Sequence, residues 1–141
     1  MSAANRTTDW HGLSAPSLEV FEAIARETFD RLPEAFRLLA TGITIRVADF
    51  ADDEDLAELE MESPFELLGL FQGVGLAHAS ATPFTGQLPN AVWLYRRAIL
   101  DYWAEHEETL GSVISHVLIH EIGHHFGLSD EDMEAIEAAA G

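Results

Sequence analysis

The run from His116 to Asp130, HVLIHEIGHHFGLSD, constrains this chain more than any other stretch, because it sets histidines, a glutamate and an aspartate at helical intervals among apolar residues. A helix advances about 1.5 Å and 100° per residue, so His120 and His124 lie roughly 6 Å apart along the axis and about 40° apart around it. Both rings then face one pocket. Glu121 follows the first ring, displaced around the helix, where it reaches a water in that pocket without replacing a ligand. The five residues read HExxH, the helical pattern in which two imidazoles bind zinc and the glutamate acts as a general base.

A catalytic zinc takes three protein ligands and keeps one position open, so a third donor has to come from elsewhere in the chain. Asp130 follows at the right remove. Gly127, between them, is able to take the left-handed conformation that ends a helix and turns the chain back toward the metal. The extended signature is HExxHxxGxxD, with Asp130 where the metzincin pattern carries its third histidine. The bland alternative is an acidic amphipathic helix with solvated histidines, and Val117, Leu118, Ile119 and Ile122 argue against it by making the surroundings apolar. His116 stands one helical step before His120 on roughly the same face. As a fourth ligand it would close the site; the expectation is that it lies too far back along the axis and supports the ligands or the structure instead. His125 points about 100° away from His124, so it is expected to pack or to support a ligand rather than to bind the same ion.

Four stretches resemble the small bacterial zincin-like metallopeptidases: FDRLPEAF around Leu32, SPFELLGLFQG from Ser63 to Gly73, LPNAVWLYRRAIL from Leu88 to Leu100, and HEIGHHFGLSDEDM from His120 to Met133. Together they extend over most of Leu18 to Ile136. The resemblance implies a minimal zincin-like fold of the α+β class, a small mixed β-sheet packed against helices that include the HExxH helix. It also implies a Zn2+ held by His120, His124 and Asp130, with Glu121 as the catalytic glutamate. An aspartate as third ligand is similar to the snapalysin type of metzincin. Only eleven residues follow Asp130, so no downstream Met-turn is expected, and Met133 lies too near the third ligand to be taken as its equivalent.

The 141 residues, 48% hydrophobic, suit one domain with a single core, expected over residues 17–141 behind a mobile tail at 1–16. The absence of cysteine removes disulfides and thiolate ligands and makes the cytoplasm the simplest compartment. No apolar run suits a secretory signal or a bilayer span, so no membrane partner is expected. The net charge of −18, with arginine as the only basic residue type besides histidine, repels phosphate backbones and argues against nucleic acid. Such a field favours basic or neutral peptides, although acidity also serves solubility alone.

Leu18, Phe21, Ala25, Phe29 and Leu32 recur at helical spacing up to Pro33, and a shorter turn of helix follows from Glu34 to Ala40, ending at Gly42. Ile43 to Val47 alternates and reads as a strand. The acidic stretch Asp49 to Glu62 predicts a short exposed helix anchored by Leu56 and Leu59, and its spacing does not follow a calcium loop. Ser63, Pro64 and Glu66 make a capping box for a turn ended by Gly69, before a second strand up to Gly73. Residues 75–90 read as a long loop, a candidate flap containing His78. Ala91 to Tyr95 is the third strand. The resemblance makes Val92, Trp93, Leu94 and Tyr95 the edge that pairs with an extended peptide substrate, and an interior strand is the competing reading. Arg96 and Arg97 are candidates for a substrate carboxylate or, more simply, for neighbouring acids. Ala98 to Ala104 predicts a helix buried through Ile99, Leu100 and Trp103. The HExxH helix is expected from near Glu107 or Glu108 to Phe126, with Leu110, Val113, Ile114, Val117 and Leu118 as its core stripe, and a last helix capped by Ser129 runs from Asp130 to Ala140.

The functional expectation is a zinc metallopeptidase that hydrolyses peptide bonds in peptides or proteins through a zinc-bound water, with Glu121 as the base. Neither Tyr95 nor His125 is singled out as a further oxyanion donor. The alternative is a peptide-binding or regulatory protein that retains a structural zinc without cleaving. A nucleic-acid hydrolase similar to the small bacterial metalloendoribonucleases needs three histidines and a positive surface, and both are missing.

Overall fold

Ser17 accepts a hydrogen bond from the Val20 N–H at 3.2 Å and so caps helix α1, Leu18–Asp30, which buries Phe21 and Ala25. The computed structural model describes residues 9–73 and 90–140. The flap and His78 therefore lie outside the described residues. Pro33 precedes α2, Glu34–Leu39, and Gly42 at φ 89° turns the chain into β1, Thr44–Ala48. Next comes α3, Asp53–Glu58, which buries Leu56 as expected. Leu59 does not anchor it and is 44% exposed, because it already belongs to the turn in which Glu60 takes φ 56° and the Met61 N–H closes back on the Leu56 carbonyl at 2.9 Å.

The capping box at Ser63 forms in both directions. Its hydroxyl accepts from the Phe65 N–H at 3.2 Å, and its own N–H donates to Glu66 Oε2 at 2.8 Å. Gly69 does not end that turn but begins β2, Gly69–Gln72. Strand β3, Ala91–Tyr95, runs straight into α4, Arg96–Glu105. The HExxH helix α5, Leu110–His125, starts later than its charged approach suggested, because the Thr109 hydroxyl accepts from the Ser112 N–H at 3.1 Å and caps it there. Helix α6 spans Asp130–Ala140, capped by Ser129, whose hydroxyl accepts from the Asp132 N–H at 3.0 Å. Among the described residues no helix is long and apolar enough to cross a membrane.

The sheet has the order β1-β3-β2, with β1 parallel to β3 and β2 antiparallel to it. Val92 thus pairs with Ile45 on one side and Phe71 on the other. This corrects the expectation that Val92, Trp93, Leu94 and Tyr95 form an edge: β3 is the middle strand, its backbone already engaged on both flanks. Both of its faces are covered as well. Val92 and Leu94 join the main core with α5, whereas Trp93 and Tyr95 turn to a second cluster with Ala51, Leu56, Leu67 and Ala98. The uninterrupted apolar run AVWLY carries this information, since a strand buried on both faces has no polar face to alternate with.

Helix α5 packs against α1, β2, β3, α4 and α6. It is accordingly buried through Val113, Ile114, Val117, Leu118, Ile119, Ile122 and Gly123, and its polar residues are confined to what remains of its circumference. Among the described residues, the mixed sheet and the six helices place the chain in the α+β class.

Candidate active site

The imidazoles of His120 and His124 stand with ring centroids 5.7 Å apart and planes at 80°. They project from consecutive turns of α5 toward its one face not covered by apolar neighbours. Between them lies Gly123, where a Cβ would come within 2.6 Å of Met133 Sδ. The missing side chain lets α6 lie close to the turn that carries His120 and His124. The Gly127 N–H reaches the His124 carbonyl at 3.1 Å and the Leu128 N–H reaches the Gly123 carbonyl at 2.9 Å, with Gly127 at φ 74°. This left-handed turn ends α5 and folds α6 back along it, as the glycine suggested.

Glu121 faces the sheet. Burial raises its pKa above the ordinary carboxylate value, opposed by a hydrogen bond from the Phe71 backbone and by the charge of His124. The Glu121 carboxyl is therefore held against β2, the strand whose outer side is free of any other strand among the described residues. Gly69 makes this approach possible. A Cβ there would sit 2.5 Å from Val117 Cγ1, 2.9 Å from the Trp93 carbonyl oxygen and 3.6 Å from Glu121 Cγ. Gly69→Ala is expected to cost about 1–3 kcal/mol by overpacking, because the backbone carbonyl is unable to yield. Urea unfolding of the variant beside the unaltered protein measures it.

His125 points away from His124 and stacks on Phe71, with centroids 3.9 Å apart and planes at 17°. It braces β2 against the helix. Tyr95 is buried in the second cluster; desolvation first, then the charges of Asp55, Asp52 and Glu121, raise its pKa far above the ordinary phenol value, so the hydroxyl keeps its proton. Arg96 is committed elsewhere, donating to the Pro16 carbonyl at 2.6 Å and to Asp49 Oδ1 at 3.0 Å. Arg97 lies over the Phe50 ring at 5.3 Å.

The structure departs from the expected ligand set on the other side of His120. His116 is not too far back: its ring lies 4.0 Å from that of His120. Its Nδ1 stands 2.5 Å from Glu137 Oε1, and that same oxygen lies 3.4 Å from His120 Nε2. Among the described residues, His116, His120 and Glu137 are the set whose donor atoms come within 4.8 Å of one another. His120, His124 and Asp130 do not converge to that distance. Asp130 is exposed at the start of α6, and its charge acts on His120. Glu137 was not among the residues expected from sequence. The signal for it is its place two helical turns beyond Asp130, which puts both carboxylates on one face of α6.

His120 shows that a cation suits this place. Burial lowers its pKa below the ordinary imidazole value, aided by the charge of His116, so the ring favours the neutral form that ligates metals. Its Nε2 is buried and has no hydrogen-bond partner. The 3.4 Å approach to Glu137 is close enough for attraction, but it lacks the geometry of a hydrogen bond. An unsatisfied buried imidazole nitrogen among imidazoles and a carboxylate is the donor chemistry that zinc-type ions take.

A family model described as zincin-like metallopeptidase matches residues 40–140. No curated protein matches the chain.

Proposed function

The chain belongs to the zincin-like metallopeptidase family, and on that footing we propose that it hydrolyses peptide bonds, with a zinc ion held by His120, His124 and, as third ligand, Asp130. The observation that carries this reading is the placement of Glu121, next in sequence to His120 and held by the Phe71 backbone at the side of β2 that no other described strand flanks. Zinc, when bound there, supplies Lewis acidity that polarises a carbonyl and lowers the pKa of water. Glu121 takes the proton of the attacking water and passes it to the departing amine. An extended peptide adds to the outer side of β2, in place of the β3 edge expected from sequence, and its main chain supplies sequence-tolerant hydrogen bonds. The net charge of −18 draws basic or neutral peptides toward that edge.

A second reading, a peptide-binding protein with a structural metal, draws support from the His116–His120–Glu137 cluster, which offers an ion three donors without using His124. Digestion of a broad peptide library, with and without a chelator, separates the two. The expected result is cleavage that stops with the chelator and returns on addition of zinc. Metal-loaded protein that binds peptides and leaves them whole would sink the peptidase reading and uphold the second.

A further inference from the structure

His116, His120 and His124 stand one turn apart on α5, so each neighbouring pair has the i, i+4 spacing that lets two imidazoles meet one ion. Opposite them, Asp130 and Glu137 share one face of α6, which packs on α5. The repeat produces two overlapping donor sets displaced by a helical turn. One is the motif set, His120 and His124 with Asp130. The other is His116 and His120 with Glu137.

We propose that His116, His120 and Glu137 form a second cation site, suited to a borderline divalent transition ion such as Zn2+, which competes with the motif site for the single imidazole of His120. Two imidazoles and a carboxylate favour ions of this class over Mg2+ or Ca2+, which prefer oxygen donors throughout. One separation fits as it stands, and the 2.5 Å between His116 Nδ1 and Glu137 Oε1 has to open to admit an ion. Donor atoms about 2.0 Å from a tetrahedral zinc stand roughly 3.3 Å apart, and His120 Nε2 already lies 3.4 Å from Glu137 Oε1. The His116 side chain is 56% exposed, so it has room to swing outward, exchanging its contact with Glu137 for the ion.

Access is separate too. A cavity of about 300 Å³ between α1, α5 and α6, lined by Thr28, Arg31, Ser112, Ser115, His116 and Glu137, opens on this set and not on Glu121. An ion therefore reaches it without crossing the β2 side. Because Nε2 of His120 offers one lone pair, an ion bound here withdraws a ligand from the motif set. Occupancy of the second site silences the first. The competition rests on the ligand assignment in the proposed function; the existence of the second site does not.

The test uses the full chain freed of metal and titrated with Zn2+ by calorimetry. His124→Ala dismantles the motif set and leaves the second intact, so this variant is expected to bind one ion per chain. Adding Glu137→Gln or His116→Ala to it is expected to weaken that binding by at least about tenfold. Failure of His124→Ala to bind zinc, or affinity indifferent to both added substitutions in chains that keep their helical circular dichroism, would overturn the site. In the unaltered protein, total binding is expected to stop at one ion per chain on these residues. Two ions held at once, with the second lost on Glu137→Gln, would overturn the competition. Absence of peptide hydrolysis sinks only the peptidase reading, since the His124→Ala titration does not depend on turnover.

Discussion

Glu121→Gln is expected to lower peptide hydrolysis by about 10²–10⁴-fold, the usual contribution of a positioned proton acceptor, or about 3–5 kcal/mol of transition-state stabilisation. Metal content measured on the same preparation should not change, because the proposed reading does not use Glu121 as a ligand. The amide retains the oxygen that accepts from the Phe71 backbone and loses only the basicity. Undiminished turnover in this variant would remove Glu121 from the reaction. The substitution has a second expected result, on stability. Burial raises the Glu121 pKa in the folded chain, so below the ordinary carboxylate value of 4.5 both folded and unfolded states hold the proton and no penalty arises. As pH rises above that value the unfolded chain ionises first, and the cost to folding grows until the folded carboxyl has also ionised. Glutamine removes this cost. The metal-free variant should therefore unfold at a higher denaturant concentration than the metal-free parent near neutral pH, and the two should coincide at acid pH below 4.5.

Leu94→Ala is expected to destabilise the protein by about 2–5 kcal/mol, a large share of the roughly 5–15 kcal/mol that holds a domain of this size together. Leu94 is wholly buried between β1 and β2 and faces α5. Truncating it removes contacts that a packed interior is unable to restore by collapse. A groove residue on an edge strand would behave in the opposite way, sparing the unfolding midpoint and weakening peptide affinity. Urea unfolding monitored at Trp93 and the other tryptophans decides between the two roles of this strand, and an unshifted midpoint would return β3 to the substrate groove.

The elements that depend on neighbours in sequence were legible. The Phe21 and Ala25 spacing, the alternation around Ile45, the Ser63 capping box and the Gly127 turn are each encoded within a few residues, and each has its expected local structure. What was not legible depends on distant parts of the chain. Whether β3 lies at an edge is decided by where β1 and β2 settle, although its lack of a polar face was a local sign of enclosure. The meeting of His116 with Glu137 is decided by how closely α6 approaches α5, which turns on the bare Cα of Gly123 beneath Met133. Helical spacing read within α5 alone finds the imidazoles and does not find their carboxylate partner. The same approach distance governs Asp130, whose spacing suits a ligand and whose charge acts on His120 across the two helices.

Helix α5 is enclosed by five other elements while carrying Glu121, His120 and His124. The spacing of these side chains is thus inherited from the interior and does not depend on an ion to hold it. The same arrangement ties heredity of function to heredity of fold: a substitution on the apolar side of this helix shifts the reactive side with it, so the two properties decay together.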